Sequence, residues 1–317
     1  MFVHATVQSF FMLDPRLQSL RLVAWYGGVT AAAEAAHYTP SAVSAQLRSL
    51  ANDVGAPLLE RQGRGVRLTD AAQVLLEHAD EVAAAWEAVC ARVQSGTGAK
   101  AGAVTMAGFS TAASTLLPEA VRELLRQHPG TVARIVEADP LECFDMLVTG
   151  QADLAVVVAT DEMPALSDRR FEQLQLGNDP LELLVHARHR LADRESVSLA
   201  EAAGEPWIMD RPGRPYRQLV LSSCVAAGFT PEIAHESLEW ETGAALVHAG
   251  FGVALVPRLA HLPSGYAVQR VPLHGDPRPA RHIRAAVRAG ARSQPRIVTA
   301  LDAMIASAVL APAVTSH

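Results

Sequence analysis

The feature that most constrains the fold is a series of three short helical patterns within residues 17–70. The first has apolar residues three apart, on the face that a helix buries, and glycines at 27–28 end it. The second is almost entirely alanine over residues 31–36. Thr39 is then a favourable N-cap, and Pro40 suits a first helical position because its missing N–H has no helical partner there. The spacing predicts three helices joined by tight turns.

The third helical pattern has two faces of different chemistry. Its apolar face is formed by Val43, Leu47, Leu50 and Val54, whereas Ser41, Ser44, Ala45 and Arg48 lie on the opposite face. A short second helix, a tight turn and a polar-faced third helix are the parts with which a helix-turn-helix enters the DNA major groove. The pattern therefore indicates a DNA-binding helix-turn-helix whose third helix reads the groove.

Residues 55–69 contain two short apolar stretches on either side of a Gly-Arg-Gly tip, which predicts a β-hairpin. Arg61, Arg64 and Arg67 cluster on it, where the wing of a winged helix-turn-helix meets the sugar-phosphate backbone. The chain has a net charge of −6, but local charge governs phosphate contact. We therefore predict a winged helix-turn-helix over residues 12–69, with an ordinary solvated hairpin as the alternative to the wing.

A long helix is predicted next, over residues 70–95. Apolar residues in it are separated by 4, 3, 4, 3 and 4 positions, which is a heptad pattern: Leu75, Ala79, Val82, Trp86, Val89 and Val93. At 1.5 Å per residue the helix is about 37 Å long. So narrow an apolar stripe on so long a helix predicts pairing with a second copy, through Leu75, Val82, Trp86 and Val89. The alternative is a helix packed on its own domain.

Small residues at 96–102 predict a hinge, beyond which strands and helices alternate. The expected strands are Val104–Gly108, Val132–Ala138, Leu154–Ala159 and Leu181–Ala187, and the expected helices between them include Thr115–His128 and Pro140–Thr149. The βαβαβ order implies a parallel sheet with crossover helices, so the fold class is α/β after the winged helix-turn-helix. Residues 103–310 divide into two lobes joined by two crossings. Lobe 1 covers residues 103–167 and 272–310, and lobe 2 covers residues 168–271. A cleft between such lobes is a favoured place for a small ligand.

Several classes of protein are disfavoured by what the sequence lacks. The chain has no apolar run of about 18 residues, so a membrane span is not expected. Residues 1–11 are apolar but have neither a basic segment nor a cleavage pattern, which predicts a disordered extension, with Met12 as an alternative start, and not a signal peptide. Three distant cysteines without a CxxC motif predict no disulfide framework and a reducing cytoplasm.

Catalysis and metal binding find equally little support in the sequence. His186 and His189 have no matching third ligand, so neither a metal site nor a cofactor is predicted. Local motifs supply no Ser/His/Asp or paired-carboxylate arrangement, and we do not expect an enzyme. A transport solute-binding protein and an enzyme on the same α/β scaffold remain the rival classes. The pattern over residues 17–70 and the lack of an export signal argue against the first, and the lack of a nucleophile with its base argues against the second.

Taken together, these segments resemble the LysR-type transcriptional regulators over residues 14–308. The N-terminal part of the resemblance rests on Ala31–Ala36, Thr39–Ser44, Leu47, Leu50, Gly55, Leu58–Arg61 and Leu68-Thr69, in the family's order and spacing. The C-terminal part rests on Leu116–Pro118, His128-Pro129, Gly150–Ala155 and Gly250–Pro257. The family implies a regulator that binds double-stranded promoter DNA, pairs through its linker helices, and usually forms a tetramer from two dimers. RNA polymerase is a further expected partner.

The resemblance also assigns residues to the DNA. By position, Thr39, Pro40, Ser41 and Ser44 begin the recognition helix, and Arg61 and Arg64 on the wing contact the backbone. The chain departs from the family pattern, with Ala45 where many members carry Arg, Pro40 where they often carry Gln, and Leu50-Ala51 for the usual Leu-Glu pair. Operator choice is therefore expected to depend on shape and phosphate contacts through Gln46, Arg48 and the wing.

The resemblance further implies a fold like that of periplasmic binding proteins, with a small-molecule effector between the lobes. Carried over by position, Ser110 and Thr111 begin a helix where N–H groups and hydroxyls can bind a carboxylate. Asp210 ends a strand, and Trp240 and Glu241 begin another helix. These groups predict an amino-acid-like or other carboxylate effector, with an ammonium group near Asp210 or Glu241. The alternative is that the acids are surface groups or helix N-terminal charges.

Overall fold

The computed structural model describes residues 13–63, 65–97 and 102–307. The chain forms two compact units. The first holds the chain up to Val157, together with Glu162–Leu174 and Ala285–Ala306. The second holds Val158–Asp161 and Gln175–Arg284. No helix in these described ranges combines the length and apolarity that crossing a bilayer requires.

The first unit begins with the expected helix-turn-helix, formed by α1 (Pro15–Tyr26), α2 (Val29–Ala35) and α3 (Pro40–Val54). Side-chain caps fix two of the starts: Asp14 accepts from the N–H of Arg16 at 2.8 Å, and the Thr39 hydroxyl accepts from that of Ala42 at 3.2 Å. Left-handed glycines end α1 and α3. The buried core includes Leu20, Val23, Ala33, Val43, Leu47 and Leu50. The exception is Val54, expected on the apolar face but exposed because it is the last residue of its helix.

The predicted hairpin is present as β1 (Leu59–Gln62) and β2 (Gly65–Leu68), which pair antiparallel. The long helix α4 (Asp70–Thr97) follows and continues past the expected end. One face of α4 is buried at Ala72, Ala79, Glu87 and Ala91. A close backbone contact also holds it, since a Cβ added to Gly290 would lie 2.1 Å from the carbonyl oxygen of Ala84. We call α1 to β2 the head, and the rest of the first unit after α4 the first lobe.

The first lobe has the predicted βαβαβ order. Its elements are β3 (Gly102–Gly108), α5 (Ser110–Gln127), β4 (Thr131–Glu137), α6 (Pro140–Thr149) and β5 (Leu154–Val158). Strand β3 lies between β4 and β5 and is parallel to both. Side chains such as Met106, Leu117 and Phe144 are completely buried, and the helix α9 (Pro295–Ile305) packs on α5. The prediction of a parallel α/β arrangement is confirmed here.

The chain crosses between the units within β6 (Phe171–His186) and β11 (Ala280–Arg288). The second unit also contains β7 (Pro206–Met209), α7 (Pro215–Ala226), β8 (Glu232–Glu236), α8 (Trp240–His248), β9 (Ala254–Pro257) and β10 (Val268–Pro272). Strands β9 and β10 pair antiparallel with β6, and β7 pairs parallel with β8. Its core surrounds the fully buried Trp207.

Four elements differ from the sequence-based expectation. Strand β8 and a 3-10 helix at Leu199–Ala202 were not expected, and β6 begins about ten residues before the predicted strand near Leu181. In β8 only Ile233 is even partly buried, so the strand has no apolar alternation to reveal it. Helix α5 begins at Ser110, five residues before the expected start. Phe109 is its N-cap and offers no side-chain hydrogen bond as a signal.

Candidate DNA and effector sites

The outer surface of α3 carries most of the residues predicted to contact DNA. Thr39, Pro40, Ser41 and Arg48 are exposed, and Ser44 is half-buried on the same helix. The hydroxyls of Thr39 and Ser41 lie 3.0 Å apart, so the first turn presents a small polar cluster. Tyr38 is exposed immediately before it. Sequence reasoning did not single out this tyrosine, although an aromatic residue in the turn before a recognition helix is a usable signal.

Gln46 has a different position from its neighbours on α3. It is half-buried, and its side-chain oxygen accepts a hydrogen bond from the hydroxyl of the buried Ser19. The contact joins α3 to α1 inside the head. Gln46 therefore helps to hold the helix-turn-helix together, and its predicted contact with DNA stays a prediction.

The wing presents its charges unequally. Arg61 is exposed on β1, whereas Arg67 on β2 forms an exposed ion pair with Glu60. The pairing partly neutralises Arg67, so Arg61 is the better placed of the two for a phosphate. Arg64, the third predicted wing arginine, lies outside the described residues.

Helix α4 divides the predicted dimerisation residues between two surroundings. Val82 and Trp86 line a pocket of the first unit together with Leu13, Arg170 and Ala289, and Leu75 packs partly on the core of the head. Val89, in contrast, is 43% exposed, as are Val74 at 66% and Val93 at 56%. Part of the heptad stripe therefore packs within its own chain, and Val89 remains available for a second copy.

The predicted effector residues of the first unit lie at the start of α5. Ser110 is its exposed first residue, and Thr111 is buried. The exposed hydroxyl stands beside the N-terminus of an 18-residue helix, where a carboxylate is favoured electrostatically. The arrangement fits the predicted carboxylate role of Ser110 and leaves Thr111 in the interior.

The second unit holds Asp210, Trp240 and Glu241. Asp210 and Trp240 line one pocket with Tyr216 and Leu255, whereas Glu241 is exposed. Arg214 Nε donates to the Asp210 carboxylate at 3.0 Å, and the N–H of Arg211 donates at 2.7 Å. Because this carboxylate already has a cation, it is a poor receptor for the ammonium group that the sequence analysis placed there.

The pocket in the second unit has an aromatic wall. Tyr216 and Trp240 meet edge to face, with ring centroids 4.8 Å apart. Tyr216 Oη donates to the carbonyl of Leu255 at 2.9 Å, and burial raises the pKa of this phenol above its ordinary value. The phenol therefore stays neutral at all physiological pH values. The wall can pack on an apolar or aromatic portion of a ligand.

The cysteines lack the features of reactive thiols. Burial raises the pKa of both Cys143 and Cys224 to about 12. Burial, with a contribution from the charge of Glu87, also raises the pKa of the half-buried Cys90. Since the thiolate is the nucleophile, these groups are chemically quiet at neutral pH. Among the described residues no three His, Cys, Asp or Glu side chains gather in a metal-binding arrangement.

A winged helix-turn-helix, a long following helix and an α/β portion with a lined pocket define a DNA-binding regulator that carries a ligand-binding domain. The chain matches the family described as bacterial regulatory helix-turn-helix protein, lysR family, over residues 15–73. It matches the LysR substrate binding domain over residues 97–308. The chain therefore belongs to the LysR family of DNA-binding transcriptional regulators and is not an enzyme.

Named relatives agree with this assignment. The DNA-binding transcriptional dual regulator OxyR of Escherichia coli is 27% identical over 229 residues, which cover 72% of this chain and 73% of OxyR. The HTH-type transcriptional regulator YybE of Bacillus subtilis is 26% identical over 247 residues, which cover 78% of this chain and 83% of YybE. A full-length OxyR variant from Pseudomonas aeruginosa has a TM-score of 0.64 at 23% identity and covers 95% of this chain and 97% of its own. CbnR bound to its target DNA has a TM-score of 0.52 at 22% identity and covers 90% and 99%.

Proposed function

We propose that this regulator binds promoter DNA through α3 and the wing, and that a small carboxylate-bearing effector controls it. The observation that carries the DNA part is the contrast between the two faces of α3. Its inner face buries Val43, Leu47 and Leu50, and its outer face exposes hydroxyls and Arg48. A promoter-binding regulator works in the bacterial cytoplasm, with RNA polymerase as a downstream partner.

The surface chemistry of α3 favours indirect recognition. Arg48 is the long cation on its outer face, and the first turn offers short hydroxyls that suit phosphate and sugar oxygens better than two-point contacts to a base. Operator preference would then come largely from groove shape and deformability. The target DNA bound by CbnR makes duplex DNA the natural ligand to test.

The effector proposal rests on charge. The start of α5 with Ser110 favours an anion, and Asp210 is already paired with Arg214. Neither feature selects for an ammonium group, so a carboxylate attached to an apolar or aromatic body fits better than a zwitterion. Within the second unit, the aromatic pair of Tyr216 and Trp240 supplies a separate surface for an apolar or aromatic group.

Peroxide sensing is the second candidate, because several relatives are named hydrogen peroxide-inducible genes activators. Thiol-based sensing needs a low-pKa, accessible cysteine. With pKa values of about 12, Cys143 and Cys224 do not meet that need. We therefore favour ligand binding over cysteine oxidation as the controlling event.

The self-association proposal follows from α4. We infer a homodimer through the exposed apolar residues of this helix, Val89 among them, and a pair of dimers as the larger assembly. Three valines that are 43–66% exposed on one helix are unusual for a surface that faces only water.

The test is fluorescence anisotropy of the full chain on the duplex upstream of its own gene, with a scrambled duplex as control and salt varied. Arg61→Ala should weaken binding to both duplexes and lower the slope of log affinity against log salt by about 0.9, the value of one phosphate contact. Arg122→Ala, which removes an exposed arginine from α5, is the matched control and should change neither. Equal binding of both duplexes by the wild-type protein at every salt concentration would contradict sequence-specific recognition.

The effector is sought by isothermal calorimetry on the full chain. Aromatic or aliphatic monocarboxylates should bind, and the matched primary alcohols should not. Binding of alcohols as tightly as acids would refute the carboxylate assignment.

A further inference from the structure

We propose that the first lobe carries a docking surface for the head of the same chain, and that Trp25 is the residue it receives. Trp25 lies in the last turn of α1, in the head. The docking surface is formed by Asp145 of α6 together with Arg170 and Phe171, which lie at the start of β6. The proposal rests on the regulatory function above only where it concerns DNA.

The indole of Trp25 is held by three kinds of contact at once. Its Nε1 donates to Oδ1 of Asp145 at 2.5 Å. The guanidinium carbon of Arg170 lies 4.5 Å from the ring centroid, in cation–π geometry. Phe171 meets the ring at its edge, with centroids 5.7 Å apart. A hydrogen-bond acceptor, a cation over one face and an aromatic edge together select for tryptophan, because no other side chain offers both a donor and so large a π-face.

The docking surface is itself fixed by neighbours within the first lobe. Asp168 holds the guanidinium of Arg170 with two contacts, at 2.9 and 2.6 Å. Phe171 packs edge to face on the fully buried Phe144, with centroids 4.9 Å apart. Since both partners are anchored, the surface offers Trp25 a ready-made place, and docking costs little side-chain entropy.

The contact continues the hydrophobic core across the boundary. One cluster includes Leu20 and Leu47 of the head and also Phe144 and Phe171 of the first lobe. Trp25 and the adjacent Tyr26 pack on this cluster, and burial, together with the nearby charge of Asp145, raises the pKa of Tyr26 to about 12. Head and lobe therefore share one apolar cluster, beside the contacts that Trp25 makes with Asp145 and Arg170.

Docking leaves the predicted DNA surface open. Ser41 and Arg48 on α3 are exposed in the docked arrangement, so the contact fixes the direction of the head without covering it. Phe171 begins β6, which leaves the first unit after Leu174. A displacement of this strand would move the residues that grip Trp25. The docking surface thus connects the crossing strand to the orientation of the head.

The test is hydrogen–deuterium exchange of the full chain with a change made on the lobe and a response read in the head. Asp145→Ala should speed exchange of the α1 amides at residues 23–26 at least fivefold, because the acceptor of the Trp25 N–H is gone. Glu142→Ala, an exposed acid one turn earlier on α6, is the matched control and should leave those amides unchanged. Exchange in α1 of Asp145→Ala within twofold of wild type would overturn the proposal.

A reciprocal variant guards against general unfolding of α6. Trp25→Phe keeps an aromatic ring but removes the donor, and it should speed exchange at residues 168–171 while the core strand β3 stays protected. Loss of protection in β3 as well would mean that the lobe unfolds, and the docking assignment would then be wrong.

Anisotropy separates this proposal from the function proposed above. Loss of a fixed head direction in Asp145→Ala should reduce the preference for the upstream duplex over the scrambled one at least fivefold, with affinity for scrambled DNA within twofold of wild type. Unchanged preference with faster α1 exchange would overturn the link between docking and DNA. If wild-type protein shows no preference at all, sequence-specific binding fails, while the exchange result still decides whether the head docks.

Discussion

Replacing Arg288 with methionine is expected to destabilise the first unit far more than replacing its partner Glu87 with glutamine. Arg288 lies between two carboxylates. Its Nε donates to Glu87 at 2.5 Å, and its second guanidinium nitrogen reaches Asp153 at 3.1 Å. The three side chains are 12%, 8% and 18% exposed in the order Arg288, Glu87, Asp153. Two buried anions therefore share one buried cation.

The magnitude follows from what each change leaves behind. Without Arg288, two carboxylates face each other with no cation, and removing one partner of a buried ion pair costs roughly 3–5 kcal/mol. In Glu87→Gln, Arg288 keeps Asp153 and gains a neutral acceptor, so the loss is that of one charge-assisted hydrogen bond, about 1–2 kcal/mol. At roughly 2–4 °C for each kcal/mol, the two variants should differ in Tm by about 2–16 °C.

The pH dependence of the free energy of unfolding provides a second test of the prediction. Burial alone would lower the pKa of Arg288, but the charges of Glu87 and Asp153 outweigh it and the pKa is raised. The stabilisation by this cation is therefore fully present at neutral pH and is lost only as the pH rises through the raised value. Between pH 5 and pH 8 the contribution of this cation should therefore stay constant.

The assay is urea unfolding of the full chain at pH 5 and pH 8, with Tm from calorimetry. Arg292→Met, a change at an exposed arginine a few residues away, is the control. A loss in Arg288→Met no larger than that in Glu87→Gln would refute the charge argument.

Two further predictions concern α4 and the cysteines. Val89→Glu should shift the sedimentation of the full chain toward the monomer, because it places a charge on an apolar surface that we expect a second copy to cover. The control Val225→Glu, at a 63% exposed position on α7, should not change the sedimentation. An unchanged assembly in Val89→Glu would exclude this part of the helix from the interface. Iodoacetamide at pH 8, followed by mass spectrometry, should label Cys90 before Cys143 and Cys224. Millimolar peroxide at the same pH should leave the two buried thiols reduced. The reason is that a pKa of about 12 leaves roughly one thiolate in 10⁴ at pH 8. Rapid oxidation of either buried thiol would restore the peroxide hypothesis.

Local signals account for what the sequence could predict. The bounds of α6 match the expectation, and α1 and α3 fall within a residue or two of theirs, because Thr39, Gly27 and Gly55 mark helix ends through short-range chemistry. The family resemblance rests on the same kind of contiguous motif. Residues exposed on the head surface, such as Ser41 and Arg61, could be singled out by this reasoning, and their contact with DNA stays a prediction.

Contacts between distant parts of the sequence were not accessible. Nothing near Gln46 in the pattern showed that Ser19 would bind it. The pairing of Asp210 with Arg214, only four residues further on, was within reach of the sequence and was missed. Trp25 drew no attention because its partner Asp145 is 120 positions away. Heptad spacing likewise could not tell which apolar residues of α4 face their own lobe. Such pairings depend on the tertiary arrangement, which periodicity does not encode.

The linker helix α4 is held by side-chain contacts with both the head and the first lobe. Arg21 in the head binds Asp80 on the helix at 2.7 Å, and Glu87 on the helix binds Arg288 in the first lobe. Asp145 in the lobe binds Trp25 in the head. Head, helix and first lobe are thus joined in pairs by three side-chain contacts.

Because each pair of parts is joined, the angle between any two of them cannot change without breaking one of these contacts. From Glu87 to Asp70 the helix spans about 26 Å, so a tilt of about 5° at the lobe would carry its far end about 2 Å. That displacement exceeds what a hydrogen bond tolerates. A tilt of this size would therefore break at least one of the three contacts and leave the direction of the DNA-binding surface less firmly fixed.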